Sequence, residues 1–403
     1  MVFGKSVWRM PEENEILSGM RVLAALNGLE LFGHERGNIE VFKALRDMGA
    51  KVMVGVNAQS DNHVRDELHR LGLVTFNLPF GPQWSIRWVK KDPTIALTNI
   101  LAVLRCSWIY FRAIGSFKPT HIHLGSPLAY SYVSLALALN GTPLVYRMGD
   151  CPPVDSPFNL RIWRMAMRRS DRIVANSKFV RNAALAAGVE PRKISVIHNL
   201  APGRAEESGP TLGLPVEPGQ EAIVYVGQIA EHKGVRLLIE AFVALAADYP
   251  ALRLDIVGGS RYGSAFRIEL ERLISTNGLQ DRVCLHGYVS EPASHLKLAV
   301  LHVAPSLWAE PFANVVLEAK QAGTPSVIFS SGGLPEMVRH QVDGYICRER
   351  SAGALVEGLR WMLADPVRLK RMGEEALEDL KKRFGKQRFV DAWAVVYRAA
   401  IDS

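Results

Sequence analysis

Short apolar runs alternate with amphipathic segments of helix length along most of this 403-residue chain, and this alternation limits the possible folds most strongly. Arg21–Leu26 and residues 51–56 have the length of buried strands, and the helix between them is expected to begin near Asn38. Strands that alternate with helices are typical of parallel sheets covered by helices. The sequence therefore predicts an α/β fold.

The alternation stops once and then restarts. Eight of the twenty residues from 201 to 220 are Gly or Pro, as expected for a linker. We therefore predict an N-terminal Rossmann-like domain over 1–200, a linker over 201–220 and a second Rossmann-like domain over 221–385. A C-terminal helix over 386–403 is expected to pack back on the first domain. Two such domains would face a central cleft, since open parallel sheets bind ligands at the carboxyl ends of their strands.

Positive charge is concentrated in the first half of the chain. The whole chain has 48 Lys and Arg against 40 Asp and Glu, a formal charge of +8. Residues 1–200 contain 25 basic and 15 acidic residues, whereas residues 201–403 contain 23 and 25. This asymmetry predicts that the first domain faces an anionic partner.

Other features of composition exclude several classes of protein. A hydrophobic content of 48% excludes a disordered chain, and four widely spaced cysteines without a CxxC pair favour reduced thiols over disulfides. The first twenty residues are too acidic for a signal peptide. The longest stretch without a charged residue, 119–146, is interrupted by Gly and Pro, so no transmembrane helix is predicted. We expect a cytoplasmic protein.

One stretch, WAEPFANVVLEA, contains two acidic residues near the predicted start of a helix, Glu310 and Glu318. Asn314 is expected to cap that helix, which leaves the N–H groups of Val315 and Val316 free to bind a diphosphate. Glu318 could then accept hydrogen bonds from ribose hydroxyls, while Glu310 reaches the group attached to the phosphates. Spacing alone does not separate this interpretation from two ordinary surface carboxylates.

In each domain, one glycine-flanked loop follows the first strand. In the second domain the loop Gly227–Gly234 contains Lys233, which is well placed to neutralise a phosphate. In the first domain the loop Gly33–Gly37 lacks the G-x-G-x-x-G pattern of dinucleotide-binding folds. The alternative for Lys233 is an ordinary surface lysine, and the alternative for Gly33–Gly37 is an ordinary tight connection.

Together these segments resemble family 4 of the retaining glycosyltransferases, which have the GT-B fold. Glu310 and Glu318 are similar to the E-x7-E pair of this family, and Gly227–Gly234 is similar to its G-R-x4-K-G loop. Gly33–Gly37 resembles its glycine-rich acceptor-side loop. Further similar segments are SSGGLPE at 330–336, VANSKF at 174–179 and VIHN at 196–199. The resemblance covers the chain from Arg21 to its end.

The resemblance implies a hexosyltransferase that takes a nucleotide sugar, with UDP or GDP expected, in the second domain and an acceptor in the first. It implies no cofactor and no essential metal, and stabilisation of the leaving diphosphate by Lys233 and the helix N-terminus. The implied catalytic residues are Glu310, Lys233 and Asp150. The implied donor-binding residues are Gln228, Lys233, Gly259, Tyr288, Val289, Glu310, Phe312, Ala313, Asn314, Val315 and Glu318. The implied acceptor-side residues are Gly33, His34, Glu35, His123 and Arg147.

Two positions depart from the family pattern. Gln228 stands where the family has an arginine, and Gly149 stands where it often has a histidine. The candidates for the missing groups are Arg36 and Arg261 at the phosphates, and Arg147, Asp150 and His123 at the sugar.

The basic half also contains segments that suit a membrane surface. Arg161, Arg164, Arg168 and Arg172 have the spacing of one helical face, while residues 83–91 and 104–118 mix aromatic side chains with cations. This pattern predicts peripheral contact with anionic lipid, and a solvated arginine face is the alternative. No motif for binding nucleic acid accompanies the charge, so no nucleic-acid partner is expected.

The sequence therefore predicts a retaining glycosyltransferase that transfers a hexose to a glycan or lipid-linked acceptor, in the synthesis of cell-envelope polysaccharide or glycolipid. We expect it in the cytoplasm, in peripheral contact with the inner face of the cytoplasmic membrane. Two alternatives stay open: a soluble small-molecule acceptor, and a catalytically silent scaffold that binds a sugar nucleotide. The departures from the family pattern at Gln228 and Gly149 favour the scaffold. The presence of Glu310, Lys233 and Glu318 favours an enzyme.

Overall fold

The computed structural model describes residues 16–30, 33–60, 62–81, 94–201, 221–260, 264–289 and 291–400. The chain divides into two compact units. The first unit contains the chain up to Asn176 together with Val180–Ile197 and Gln387–Ser403, and the second contains Ser177–Phe179 and His198–Lys386. All but the first residue of the predicted linker lie outside the described residues.

The first unit is built on a parallel sheet with the strand order β3-β2-β1-β4-β5-β6-β7. Its strands are β1 Arg21–Leu26, β2 Lys51–Asn57, β3 Val74–Leu78, β4 His121–Leu124, β5 Leu144–Met148, β6 Arg172–Ala175 and β7 Ile194–Val196. Every residue of β4 and β5 is buried. Strands covered on both faces are rich in apolar residues, which is why the sequence reveals them, although His121, His123 and Arg147 are among the buried residues here.

Seven helices accompany this sheet in the part of the chain that the structure describes. They are α1 Gly33–Asp47, α2 Asn62–Arg70, α3 Thr94–Phe117, α4 Pro127–Ala138, α5 Pro157–Arg169, α6 Lys178–Ala186 and α13 Lys386–Ala399. From Gln387 onward, α13 groups with the first unit. The carbonyl oxygen of Tyr397 lies 2.8 Å from Nε2 of His121, and Arg172 donates to the carbonyl of Ala399 at 2.8 Å.

Helix α1 begins at Gly33, so the prediction of a start near Asn38 is wrong. Two glycines within five residues weaken a helix by about 1 kcal/mol each relative to alanine. Burial of Val41, Phe42 and Leu45 against the sheet outweighs that cost. The Asn38 side chain donates to the His34 carbonyl at 2.9 Å, within the helix that it was expected to open.

Helix α3 is long and apolar enough to cross a membrane by length and composition alone. Its mean hydropathy over the best window in Ala96–Phe117 is 1.3, and a third of that window is buried. Arg105 and Arg112 interrupt the apolar run of α3, so this helix is not among the uncharged stretches of the sequence. One face of α3 packs into the first unit, where the Tyr110 hydroxyl donates to the carbonyl of Leu23 in β1 at 3.1 Å.

The second unit has its own parallel sheet, with the order β10-β9-β8-β11-β12-β13. The strands are β8 Glu221–Val226, β9 Leu252–Val257, β10 Val283–Gly287, β11 Leu301–Ala304, β12 Ser326–Phe329 and β13 Gly344–Cys347. The helices are α7 Val235–Leu245, α8 Ser264–Thr276, α9 Ala293–Leu298, α10 Asn314–Gln321, α11 Ala352–Leu363 and α12 Pro366–Phe384. Two parallel sheets with helices confirm the predicted pair of Rossmann-like domains.

A buried lysine links α10 to its surroundings in the second unit. The ammonium of Lys320, with 1% of its side chain exposed, lies 3.0 Å from a carboxylate oxygen of Asp343 and 2.9 Å from one of Asp379. Burial alone would raise the pKa of Asp379, but hydrogen bonds from Arg383 and Lys320 hold it below its usual value. This network fixes the helix that carries Glu318.

Candidate active site

The loop after β8 is shaped by a glycine. A single 3-10 turn, Glu231–Lys233, leads to Gly234, which has φ 73° and ψ 15° just before α7 begins. A Cβ atom at this position would lie 1.9 Å from the carbonyl oxygen of Pro305. The left-handed backbone and the close approach both require glycine, so Gly234 fixes the backbone beside Lys233.

Lys233 and Glu310, which the sequence places in separate motifs, are in direct contact. The ammonium of Lys233 forms an ion pair with Oε1 of Glu310, and the Ser306 hydroxyl donates to the same oxygen at 2.9 Å. The side chains of Lys233 and Glu310 are 26% and 13% exposed. Sequence reasoning missed Ser306, although a hydroxyl just past the end of β11 was the available signal.

Backbone hydrogen bonds hold the two loops of this ion pair together. The N–H groups of Leu307 and Trp308 both donate to the carbonyl of His232, at 2.9 and 3.1 Å. Because β8 and β11 are neighbours in the sheet, their carboxyl ends bring these loops side by side.

The glycine-rich segment after β12 supports the backbone of Glu310. The N–H of Gly333 donates to the Glu310 carbonyl at 2.7 Å, and the Ser331 hydroxyl donates to the Trp308 carbonyl at 2.5 Å. Gly332 has φ 58°, and a Cβ atom there would lie 2.2 Å from the Glu310 carbonyl oxygen. The sequence marked this segment only by resemblance, and the structure gives it a supporting role.

The start of α10 differs from the prediction. Ala313 is the N-cap and Asn314 is the first helical residue, so the predicted Asn314 cap is wrong. The reason is a long-range contact, because Oδ1 of Asn314 accepts a hydrogen bond from Asn199 at 2.8 Å. The N–H of Val316 donates to the Ala313 carbonyl at 3.0 Å, which removes one of the two predicted diphosphate donors. Val315 stays a candidate.

The other donor-side residues of α10 lie where the sequence places them. Glu318 is half-buried, one turn into the helix. The Phe312 side chain is buried and stacks on His198 with ring centroids 5.6 Å apart. Only the backbone of Phe312 is therefore a candidate for contact with a ligand.

The remaining predicted donor-binding residues follow β8, β9 and β10. A Cβ atom at Gly258 would lie 1.7 Å from the Gly227 carbonyl oxygen, and the Ile229 N–H donates to the Gly259 carbonyl at 2.9 Å. Tyr288 is 75% exposed just after β10, whereas Val289 packs against the apolar cluster that contains Val224 and Val257. Gln228 accepts a hydrogen bond from the Tyr225 hydroxyl at its carbonyl oxygen, at 2.7 Å.

Three of the segments that carry the resemblance meet at Glu336, which the site prediction did not include. Its carboxylate accepts hydrogen bonds from the N–H groups of Lys178 and Phe179, at 2.8 and 2.7 Å. Nε2 of His198 lies 3.2 Å away. Burial would raise the pKa of Glu336, but these hydrogen bonds hold it below its usual value. Glu336 therefore has a structural role within the second unit.

In the first unit, the glycines near α1 make room for a buried arginine and a buried glutamate. Arg147 in β5 is 3% exposed, and burial lowers its pKa to about 10 although Asp150 and Glu35 favour its charged form. A Cβ atom at Gly37 would lie 2.2 Å from Nη2 of Arg147, and one at Gly28 would lie 2.0 Å from Oε1 of Glu35. Asp150 and Gly33, by contrast, are exposed.

His123 belongs to the core of the first unit, so its predicted acceptor-side role is wrong for this structure. Its ring is fully buried, with Nδ1 2.7 Å from the Tyr397 hydroxyl and Nε2 3.1 Å from Oδ1 of Asn38. Burial first, and then the charges of Arg147 and His34, lower its pKa to about 3. His123 is thus a neutral structural histidine.

The space beside Gly149 is taken by His34. A Cβ atom at Gly149 would lie 3.1 Å from Nδ1 of His34 and 3.6 Å from Nη1 of Arg147. Burial first, and then the Arg147 cation, lower the pKa of His34 to about 4. The sequence leaves open which group replaces the family histidine, and the imidazole of His34 is the side chain nearest to a Cβ atom at Gly149.

Gly149→His is therefore expected to cost roughly 1–3 kcal/mol of stability, because the new side chain overlaps that of His34. Adding His34→Ala to this variant should recover most of the loss. Urea unfolding of the two single variants and the double variant measures the coupling. Additive effects of the two substitutions would contradict the shared space.

The remaining cationic candidates are dispersed. Arg36 is half-buried in α1, and Arg261 and residues 83–91 lie outside the described residues. Arg161, Arg164 and Arg168 are exposed on α5. Arg172 lies in β6 and not on the predicted helical face, because α5 ends at Arg169.

The described residues contain no group of three or more His, Cys, Asp or Glu side chains arranged to hold a metal ion. The expectation of a reaction without an essential metal stays a prediction.

Two Rossmann-like units, the second with Lys233 and Glu310 in contact at the carboxyl ends of β8 and β11, fit the GT-B fold that the resemblance implies. The sequence profile of the family described as Glycosyltransferase Family 4 matches residues 33–201. The profile described as Glycosyl transferases group 1 matches residues 214–379. The chain belongs to glycosyltransferase family 4.

Relatives with names extend over most of the chain. A D-inositol 3-phosphate glycosyltransferase 1 of Catenulispora acidiphila is 29% identical over an alignment of 359 positions, and the alignment covers 82% of each chain. A D-inositol 3-phosphate glycosyltransferase of Segniliparus rotundus is 28% identical over 293 residues, 69% of this chain and 62% of the relative.

Solved structures share the fold. The structure of Anabaena HepE in complex with UDP and glucose has a TM-score of 0.75 at 21% identity, over 95% of this chain and 99% of HepE. A glycosyltransferase from Rickettsia africae has a TM-score of 0.77 at 17% identity, over 95% of this chain and 99% of the Rickettsia chain. At these identities the likeness shows the fold alone.

Proposed function

We propose that this glycosyltransferase moves a hexose from a UDP-sugar to an acceptor hydroxyl with retention at the anomeric carbon. The observation that carries the proposal is the Lys233–Glu310–Ser306 arrangement beside the N-terminus of α10. UDP is favoured as the donor nucleotide because the HepE structures of similar fold contain it.

The reaction that this site would support is a substitution at the anomeric carbon. The acceptor oxygen forms a bond to that carbon on the face that the diphosphate leaves, and the bond to the diphosphate breaks. UDP leaves with the bonding electrons, and the proton of the acceptor hydroxyl passes to its departing phosphate oxygen. Negative charge develops on the diphosphate, where the Lys233 ammonium and the N–H of Val315 would stabilise it. Glu318 is proposed to bind the ribose hydroxyls.

Glu310 is proposed to act at the donor sugar. When the ammonium of Lys233 binds the diphosphate instead of Glu310, the Glu310 carboxylate becomes available to accept hydrogen bonds from sugar hydroxyls. Asp150, exposed at the end of β5, is proposed as the acceptor-side catalytic group. No cofactor and no metal takes part in this proposal.

A lipid-linked glycan is the first candidate acceptor, with the protein in the cytoplasm at the inner face of the membrane. The absence of any Asp or Glu between Thr94 and Gly149, across α3 and α4, favours an anionic surface for the first unit. A soluble phosphorylated acceptor is the second candidate, favoured by the names of the relatives.

UDP is expected to raise the melting temperature more than GDP or ADP, and uridine is expected to have little effect. A ligand present at a hundred times its Kd stabilises the native state by about 2.7 kcal/mol. Thermal unfolding with each of the four ligands measures this order. The Lys233→Ala variant serves as the control and should lose the response to UDP.

Equal shifts with all three diphosphates, or none at millimolar concentration, would contradict the donor assignment. The protein could also bind UDP but release none from UDP-glucose when lipid-linked and phosphorylated acceptors are supplied. This result would favour the silent scaffold.

A further inference from the structure

The outward face of α3 is apolar. Six large apolar side chains of this helix are each more than two-fifths exposed: Leu97, Ile100, Leu101, Leu104, Trp108 and Phe111. They follow the spacing of one helical face, and the rings of Trp108 and Phe111 are stacked with centroids 6.5 Å apart. Outward faces of surface helices are normally polar, so this face needs a partner.

The orientation of α3 is fixed by its opposite face. Asn99, Ala102, Cys106, Tyr110 and Ala113 are buried. The Ser107 hydroxyl donates to the carbonyl of Tyr132 in α4 at 2.9 Å, and Tyr110 is anchored to β1. The helix therefore cannot turn its apolar face inward without losing these contacts.

The charged residues of α3, α4 and α5 are all basic. Arg105 and Arg112, two turns apart on α3, are exposed beside the apolar side chains. Helices α3, α4 and α5 contain no Asp or Glu. Exposed arginines continue on α5, which packs on α4: Arg161, Arg164 and Arg168.

A second copy of the chain fits this face poorly, because two copies would bring the same arginines together without a carboxylate to pair with them. An anionic bilayer supplies both an apolar interior for the leucines and phosphates for the arginines. Tryptophan beside arginine is also typical of side chains at the level of the lipid headgroups.

We infer that the outward face of α3 docks the protein on an anionic lipid bilayer, with the helix lying along the surface. At 1.5 Å per residue, the face from Leu97 to Phe111 would contact about 22 Å of the surface. Arg105 and Arg112 bind lipid phosphates, while Leu104 and Trp108 insert between the headgroups. The inference rests on the membrane location in the proposed function and deepens it by assigning the membrane contact to one surface of the first unit.

Flotation with vesicles tests the docking surface. The protein should bind phosphatidylcholine vesicles that contain phosphatidylglycerol, and high salt should release it. Arg105→Gln with Arg112→Gln should weaken this binding roughly thirtyfold, at about 1 kcal/mol per cation. Leu104→Ser with Trp108→Ser should weaken it at least roughly tenfold.

Two matched controls lie on α12 in the second unit. Val367→Ser removes an apolar side chain that is 81% exposed, and Lys381→Gln with Lys382→Gln removes two exposed cations. Both controls should bind vesicles as the unaltered protein does. All the substituted side chains are exposed, so the melting temperature should change little in every variant.

Failure of the unaltered protein to bind anionic vesicles, or equal loss of binding in the control variants, would overturn the inference. It would also be overturned by a dimer, seen in analytical ultracentrifugation, that Trp108→Ser dissociates. The response to UDP is measured on the same samples without vesicles. Vesicle binding without a UDP response would support the docking surface and contradict the proposed donor site. A UDP response without vesicle binding would overturn the docking surface and leave the donor site unaffected.

Discussion

Replacing Lys233 with alanine is expected to lower kcat/KM for the sugar donor by roughly two to three orders of magnitude. The substitution removes the cation that stabilises the leaving diphosphate. It also leaves the Glu310 carboxylate, held by Ser306, facing the incoming phosphates without its ion-pair partner. Initial rates of UDP release, together with calorimetric titration of UDP, measure the two effects separately.

Lys381→Ala, an exposed substitution on α12, is the matched control and should keep the unaltered rate. Glu318→Ala should weaken UDP binding as Lys233→Ala does, because it removes the proposed ribose contact. Glu310→Ala should lower kcat far more than it lowers UDP affinity. Unchanged UDP affinity in both Lys233→Ala and Glu318→Ala would refute the donor site.

Replacing Lys320 with methionine is expected to destabilise the second unit by about 3–5 kcal/mol, because two buried carboxylates lose their shared cation. Asp343 and Asp379 would keep the guanidinium groups of Arg339 and Arg383, whose side chains are more than a third exposed, and Asp343 would keep the N–H of Arg339. Urea unfolding followed by circular dichroism measures the change.

Lys382→Met places the same side chain at an exposed position of α12 and should change the free energy of unfolding by less than about 0.5 kcal/mol. A loss below about 1 kcal/mol in Lys320→Met would mean that the lysine contributes little to the stability of this network.

Most strands of the two sheets could be predicted from the sequence because they are buried on both faces. The apolar run from Val22 to Leu26 needs no knowledge of its neighbours to be recognised as a strand. The position of Lys233 beside Glu310 could not be predicted in the same way. The two residues are separated by 77 positions, and their contact depends on the pairing of β8 with β11, which no local pattern specifies.

The errors at helix starts have the same origin. Gly33 and Gly37 are typical of a loop, but the guanidinium of Arg147, 110 positions from Gly37, occupies the space that a side chain at Gly37 would need. Asn314 is a good capping residue by local rules, yet its side chain is taken by Asn199. In both cases a distant residue decides the local structure.

The ion pair between Lys233 and Glu310 has a consequence for which molecules the donor site accepts. At the proposed donor site, a ligand whose phosphates bind Lys233 must draw the ammonium away from the Glu310 carboxylate, which costs free energy. A diphosphate offsets that cost through its own negative charge, whereas an uncharged ligand at the same position cannot. We therefore expect the ion pair to favour anionic ligands over neutral ones at this position.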